Sequence, residues 1–517
     1  MMNRRTPSFV IGIDVGTTSI KGMLMDNRGE IVAFARQEYV LDAREGGICE
    51  LDAGVYWDVT CLIIRELISD VDPRSIGGLA FSSQGETLIP VDAEGAPLRK
   101  AIVWLDNRSV GEADEIKNQF GEQRIMDVTG QPEVLPIWPA TRILWIRKNE
   151  PSIFDQVHKY LLVEDFLLFK MTGKYCTEHS LASSTLYFDI SGKKWWPEML
   201  DYLGIHECQL PDLFRSGQCI GNLTQDAARA TGLSTATCCV AGAYDHPAGA
   251  IGSGNIHKGD VTLTIGASIA MCIALDQPVS DRSLNLPCQC HAVDGLYFLL
   301  PYGQTAGMVL KWFKDTFCQE ESREAARSNL DPYDVLIRHA EKVPAGSEGL
   351  VMLPHLMGTG SPEFNPTVRG VFAGMTMGMH KGHFVRAILE AVSLMVRRNL
   401  EVMKEKGIDV TAIHILGGAS KSNLWNQVLA DVTGLPVVTL INPENSVMGA
   451  CVLAAVGTGL FEDMEAACKA SVKTSRRFEP NRLNCRLYDE VYQKYVRLYA
   501  SLENYWKLPD RKTVYPK

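Results

Sequence analysis

The feature that most constrains the fold is a short pattern that occurs twice. Phe9 to Asp26, FVIGIDVGTTSIKGMLMD, reads as an apolar strand ending on Asp14, a Gly16-Thr17-Thr18-Ser19 turn, and a second strand from Ile20 to Met25 running back from it. Val261 to Leu275, VTLTIGASIAMCIAL, repeats strand, glycine-containing hydroxyl turn and strand, with Gly266-Ala267-Ser268 at the tip. Two such hairpins roughly half a chain apart predict two halves facing one another across a nucleotide.

The turn chemistry supports that expectation. Gly16 permits a backbone angle that exposes successive N–H groups, Thr17, Thr18 and Ser19 add hydroxyl donors, and Lys21 adds a positive charge, so the tip suits an anion such as a phosphate. Asp14 beside it suits Mg²⁺, which binds through one or two carboxylates together with substrate phosphates. Taken alone, the stretch is equally compatible with an ordinary polar hairpin turn, because Gly and Thr are common turn residues. The second copy is what favours the nucleotide. The plan resembles the actin-like ATPase fold: α/β, two ribonuclease H-like domains with a cleft between them.

Length agrees, since 517 residues exceed one ordinary core and predict two or three domains. The expected division is 1–252, carrying the first phosphate loop, and 253–517, carrying the second. Composition, with 46% hydrophobic and 22% charged residues, is that of a soluble globular chain. A net charge of −10 with interspersed Lys and Arg argues against general nucleic-acid binding.

The apolar run after Arg4 and Arg5 is interrupted by Asp14 and continues as a strand, so it does not read as a secretory leader. No uninterrupted apolar run is long enough to span a membrane, and a cytoplasmic location is expected. The 14 cysteines are scattered, which fits reduced, mostly buried thiols. Cys288-Gln289-Cys290-His291 lacks the second ligand pair that a structural zinc needs.

Further candidates lie at strand ends. Ile76 to Phe81 is a short buried strand ending on Ser82-Ser83-Gln84-Gly85-Glu86-Thr87, which makes Gln84 and Glu86 candidates for contacting a polar substrate. In Ala101 to Arg108, AIVWLDNR, a strand delivers Trp104 and then Asp106. A ring beside a carboxylate suits a polyol, the ring covering C–H surface and the carboxylate accepting hydroxyl protons. A core tryptophan with a surface ion pair is the competing reading.

Cys238 to Gly254, CCVAGAYDHPAGAIGSG, predicts a small-residue strand, then Asp245, then a helix rich in Ala and Gly. A carboxylate at that junction can accept a substrate hydroxyl's proton as the oxygen attacks a phosphoryl group. His246 is a candidate substrate contact and a weaker candidate base, because its side chain points in a different direction. Ile413 to Leu416 opens into Gly417-Gly418-Ala419-Ser420 before a helix starting at Asn423, a junction at which a flat ring or phosphate can approach the backbone. Tyr302 to Phe317 is expected to be helical, as is Ser180 to Phe188.

With these residues assembled, the chain resembles the FGGY family of carbohydrate kinases over nearly its whole length. The family's C-terminal signature is matched by Gly370-Val371-Phe372-Ala373-Gly374-Met375, after seven residues by His383-Phe384, and by Ala387-Ile388-Leu389-Glu390. Thr305 to Asp315, around Lys311 and Trp312, approximates the first signature. The resemblance implies ATP and Mg²⁺ as cofactors, with Asp14 as the metal-associated aspartate. It implies Thr17, Thr18 and Lys21 in the first phosphate loop, Gly266 in the second, Asp245 as the base, and Gly417, Gly418 and Ala419, with Asn423 nearby, at the adenosine.

Departures from the family bear on the substrate. Ala267 replaces the usual threonine of the second loop. Gly85 stands where glycerol kinases have arginine, and Ile137 falls where they have tyrosine. Glu86 occupies the position of the xylulokinase histidine, whereas Lys193 to Trp195 and the helix Arg142 to Glu150 lean towards xylulokinases. The expectation is a kinase for a ketopentose such as xylulose, with glycerol, another polyol or a deoxy sugar as the alternative acceptor. A non-catalytic actin-like nucleotide-binding regulator is the alternative of a different class. Expected partners are the small sugar or polyol, with no nucleic acid and no membrane, and a homodimer is the allowed assembly.

Overall fold

The first hairpin forms as the sequence predicts: Phe9–Val15 pairs antiparallel with Ser19–Asp26, placing Asp14 opposite Lys21. The structure is a computed structural model describing residues 8–507, so Arg4 and Arg5 lie outside the described residues. Two compact units emerge. The first comprises residues 1–258, Cys272–Leu299 and Glu444–Lys473, and the second Gly259–Met271, Leu300–Pro443 and Thr474–Lys517. Two later segments thus return to the first unit.

The first unit is built on a six-stranded sheet in the order Cys219–Asn222, Cys238–Tyr244, Ile76–Ser83, Phe9–Val15, Ser19–Asp26, Ile31–Glu38. Its central strands are parallel, and Phe9–Val15 and Cys238–Tyr244 flank Ile76–Ser83 on either side. These strands read as continuous apolar runs because both sheet faces are covered. Helix Ala53–Leu67, started by an Asp52 side chain that accepts from the Gly54 N–H, packs on one face. Helices Asp245–Ile251 and Asn445–Gly457 pack on the other. Close approach there demands glycine: a Cβ on Gly12 would lie 2.6 Å from the Cys451 nitrogen.

The second unit carries the second hairpin. Asp260–Ile265 and the start of Ile269–Leu275 continue through Ala412–Leu416 and Val437–Leu440 to Thr474–Phe478. Helix Lys381–Glu405 runs beside them. Glu390, from the C-terminal signature, is buried there and accepts from the Gly346 N–H, Ser347, Arg386 and Tyr488.

Three local expectations need correction. The helix expected from Tyr302 starts at Gly307, because Tyr302–Gly303 is drawn into a strand against Ile269 and Ala270. The helix expected over Ser180 to Phe188 covers only His179–Ala182, where a Glu178 side chain caps the first turn. The thiols are not all reduced. Cys219 and Cys238 lie on neighbouring strands with Cα atoms 6.6 Å apart and form a disulfide, while the other cysteines are free. Cys288 and Cys290 are buried in a strand, and among the described residues no group of three or more His, Cys, Asp or Glu could hold a metal ion.

Candidate active site

Three strand ends of the first unit bring Asp14, Glu86 and Asp245 into one electrostatic neighbourhood. Asp14 lies opposite Ser82 in the parallel ladder, and the Ser82 hydroxyl donates to its Oδ1 at 2.8 Å. Burial pushes the Asp14 carboxyl up to about 7, and the charge of Asp245 adds to the effect. Burial pushes Glu86 up to about 8, again with Asp245 contributing. Asp245 itself is raised by burial, opposed by His246. Its Oδ1 is buried and without a hydrogen-bond partner. A buried carboxylate oxygen left bare is costly, which is why such groups point to a ligand or a proton.

Glu86 has a left-handed backbone, φ 60°, a strained conformation for a non-glycine residue. Its carbonyl is held by the guanidinium of Arg142 at 2.6 Å. Arg142 is fully buried and also donates to the carbonyls of Trp104 and Asp106, so it fixes three candidate segments at once. The helix pattern around Arg142 did not single it out; an arginine on an otherwise apolar helix face was the available signal. Gly85 has no room for a side chain, since a Cβ would come within 2.8 Å of the Tyr244 ring and 3.0 Å of the Ser184 hydroxyl.

The first turn is held by side chains. Gln84 donates to the Gly16 carbonyl at 3.2 Å and to the Tyr56 hydroxyl at 3.3 Å, and accepts from Thr87 at 3.2 Å. The Tyr39 hydroxyl also donates to the Gly16 carbonyl. The Trp104 indole donates to Thr17 Oγ1 at 2.9 Å. The Gly16 N–H closes the turn on the Ser19 carbonyl, leaving Thr18 exposed at the tip.

Two of the candidate residues have charged partners within the fold. Lys21 is not an unpaired charge, because its Nζ lies 2.5 Å from Glu444 Oε2. Asp106 is fully buried, and its oxygens accept from Arg108 and from the Cys49 N–H at 2.6 Å, so it ties loops together. His246 packs edge-on against the Tyr244 ring, 5.2 Å between centroids.

In the second unit a cavity of about 680 Å³ is lined by Gly266, Ala267, Gly418, Ala419 and Asn423. Two glycine loops from different strands therefore meet at one space. Gly417, at φ +79°, allows the crossing: a Cβ there would lie 2.6 Å from the Ile265 carbonyl oxygen. The second turn is held by backbone alone, with Gly307 N–H donating to the Gly266 carbonyl and Ala306 N–H to the Ala267 carbonyl, each at 2.9 Å. The Gly266 N–H closes on the Ser268 carbonyl. Asn423 lines the cavity while its Oδ1 accepts from Arg476 at 2.7 Å. Tyr333, Arg338 and Trp425 also line it and were not foreseen; they sit on helices whose sequence shows only amphipathic spacing.

Comparison with known proteins gives a consistent picture. Residues 9–252 match the N-terminal domain, and residues 261–458 the C-terminal domain, of the FGGY family of carbohydrate kinases. A xylulose kinase of Bacillus subtilis (strain 168) is 30% identical over 494 residues, covering 95% of this chain and 97% of that protein. A gluconokinase of the same strain is 30% identical over 500 residues, 96% of each chain. A solved structure of ligand-bound xylulose kinase from Lactobacillus acidophilus superimposes with a TM-score of 0.86 at 27% identity, covering 96% of this chain and 98% of that one.

Proposed function

The chain belongs to the FGGY family of carbohydrate kinases, and from that premise we propose that it phosphorylates a terminal hydroxyl of a neutral ketopentose such as xylulose, with Asp245 as the base. The family assigns a phosphotransferase with an alcohol acceptor, ATP as donor, and the two-domain α/β fold of actin-like ATPase type. The observation that carries the reading is Asp245: a half-buried aspartate at a strand-to-helix junction whose Oδ1 is buried and bare.

In this mechanism the bare oxygen of Asp245 takes the proton from the acceptor hydroxyl as the hydroxyl oxygen attacks the γ-phosphorus of ATP in line, and ADP leaves. The cavity lined by Gly418, Ala419 and Asn423 receives the adenosine, and the N–H groups of the two turns receive phosphate oxygens. Asp14 and its acidic surroundings fit Mg²⁺, which binds through one or two carboxylates plus phosphates and supplies neutralisation of phosphate charge. Most of the acceleration comes from positioning and preorganised dipoles.

The acceptor follows from charge. Asp14 and Asp245 make the first unit's site acidic, and the buried Arg142 beside Glu86 is spent on backbone carbonyls. An anionic acceptor such as gluconate would be repelled, so a neutral sugar is favoured over the substrate named for the gluconokinase relative. Glu86, pushed up to about 8, holds its proton at neutral pH and both donates and accepts, as a neutral histidine does. That supports a xylulose-like acceptor at the position where the histidine is missing. Glycerol is disfavoured, because Tyr244 fills the space an arginine at position 85 would need.

Among the described residues no helix is long and apolar enough to cross a membrane, and we place the enzyme in the cytoplasm with its sugar phosphates. The test is ADP release from Mg·ATP against xylulose, other ketopentoses, ketohexoses, deoxy sugars, glycerol and gluconate. The reading expects xylulose or a stereoisomer to give the highest kcat/KM and gluconate the lowest. A preference for gluconate or glycerol would overturn the substrate class. ATP binding without release on any sugar would return the regulator reading.

A further inference from the structure

The strand that delivers Asp245 is irregular just before it does so. Along Cys238–Tyr244 the register against Ile76–Ser83 places Val240 opposite Ala80 and then Ala243 opposite Ser82. Ala241 and Gly242 therefore stand together against the single residue Phe81. That two-against-one count is a β-bulge, which re-aims the residues beyond it and removes backbone groups from the ladder. Gly242 is required at this point, because a Cβ would lie 1.7 Å from the Phe81 carbonyl oxygen.

The N–H displaced at the bulge needs a partner, since a buried backbone donor is seldom left bare. The Gly242 N–H donates to Oε1 of Glu164 at 2.8 Å. Two residues on, the Tyr244 N–H donates to the Ser180 hydroxyl oxygen at 3.1 Å. That hydroxyl donates in turn to Glu178 at 2.7 Å, and Glu178 also accepts from the Ser180 N–H at 2.6 Å and from Ser216 at 2.8 Å. Glu164, Glu178 and Ser180 are fully buried. Two buried acids thus hold the last turn of backbone before the proposed base, one directly and one through a serine.

Building on the reading of Asp245 as base, we propose that Glu164 and the Glu178–Ser180 pair are positioning residues: by holding the bulge at Gly242 and Tyr244 they set where the bare oxygen of Asp245 points. Neither acid touches the acceptor or the nucleotide in this role. Burial, with the charges of Glu178 and Asp165, pushes Glu164 well above the usual carboxylate range. A glutamine at 164 can present the same carbonyl oxygen to the Gly242 N–H.

The experiment measures sugar-dependent kcat and both KM values for the full chain carrying Glu164→Leu, Glu164→Gln or Ser180→Ala, each in the wild-type and the Asp245→Asn background. Misplacing a reacting group by an ångström costs about 10²-fold, so Glu164→Leu is expected to lose ~10 to 10²-fold in kcat with the KM for ATP unchanged. Glu164→Gln should stay within about threefold of wild type, because it keeps the acceptor. In the Asp245→Asn background Glu164→Leu should cost less than about twofold, since residues acting as a unit are not additive.

Equal losses in both backgrounds, or a Glu164→Gln as damaged as Glu164→Leu, would overturn the positioning role and leave the base intact. Should Glu164→Leu not fold, Ser180→Ala carries the same comparison, with a loss expected only where Asp245 is present. Near-normal turnover of Asp245→Asn alone would instead remove the base, and the proposal with it.

Discussion

The two hairpin turns share a sequence pattern and are built in different ways. Gly16 to Ser19 is held by side chains: Gln84 and Tyr39 on the Gly16 carbonyl, Trp104 on Thr17, and Glu444 on Lys21. Gly266 to Ser268 is held by the backbone at the start of helix Gly307–Phe317, through the carbonyls of Gly266 and Ala267. The first turn is therefore sensitive to side chains far along the chain, and the second to the backbone path at Ala306 and Gly307. That difference explains why the second turn tolerates alanine at 267: no hydroxyl is needed to hold its shape, and N–H groups remain to meet a phosphate.

The sharpest way to break this contrast is to cut the side-chain supports of the first turn. Gln84→Leu removes the bonds to Gly16, Tyr56 and Thr87 together. It should lower stability by about 3 kcal/mol, because buried partners left unpaired cost roughly 1–3 kcal/mol each. Denaturant unfolding would show this, and kcat/KM for ATP should fall more than about tenfold. Stability and kinetics near wild type would show that the turn holds itself.

On the side held by backbone, the glycine pair separates space from conformation. Gly417→Ala places a Cβ 2.6 Å from the Ile265 carbonyl at φ +79°, whereas Gly418 has nothing within 4 Å. Gly417→Ala should raise the KM for ATP about tenfold and Gly418→Ala less than about twofold. Equal effects would mean that the crossing of the two loops is not what shapes the cavity.

A pH series sharpens the electrostatic half of the contrast. Glu86 is pushed up from 4.5 to about 8 by burial, aided by the charge of Asp245, so the folded chain binds that proton more tightly than the unfolded one. The stability this supplies is fully present below about pH 4.5 and is lost as pH rises through about 8. Glu86→Gln, neutral throughout, should unfold about 5 °C higher than wild type near pH 9, with the gap closing towards pH 4.5. A constant gap across that range would show that Glu86 does not carry the burden.

The smallest effect is expected at the second turn itself. Ala267→Ser restores a hydroxyl to a turn already held by its backbone and should change kcat and the KM for ATP by less than about threefold. A tenfold gain in kcat would mean that the missing hydroxyl had been limiting turnover.

Much of this arrangement was legible because it is local. Strand, turn and strand at Phe9 to Asp26, and Asp245 directly after an apolar strand, are patterns of adjacent residues, and the structure keeps them. The glycine pair at 417 and 418 was legible as a junction, but the cavity it opens needed Tyr333, Arg338 and Trp425 from helices whose pattern shows only which face is buried. The partners of Asp106 were not legible for a related reason. A carboxylate two residues before an arginine can serve a ligand or its neighbour, and only the chain's return past Cys49 decides between them. Lys21 depended on Glu444, several hundred residues away, which no local pattern reports. The return of Cys272–Leu299 and Glu444–Lys473 to the first unit is a matter of contacts, not of composition, and no local pattern reports it.

The central claim is that Asp245 takes the proton from a neutral sugar, and the most direct measurement is the sugar-dependent turnover of Asp245→Asn beside its affinity for ATP. The substitution keeps the shape and removes the base. Turnover lower by roughly 10² to 10⁴-fold with ATP binding unchanged is the predicted result. Near-normal turnover would contradict the account.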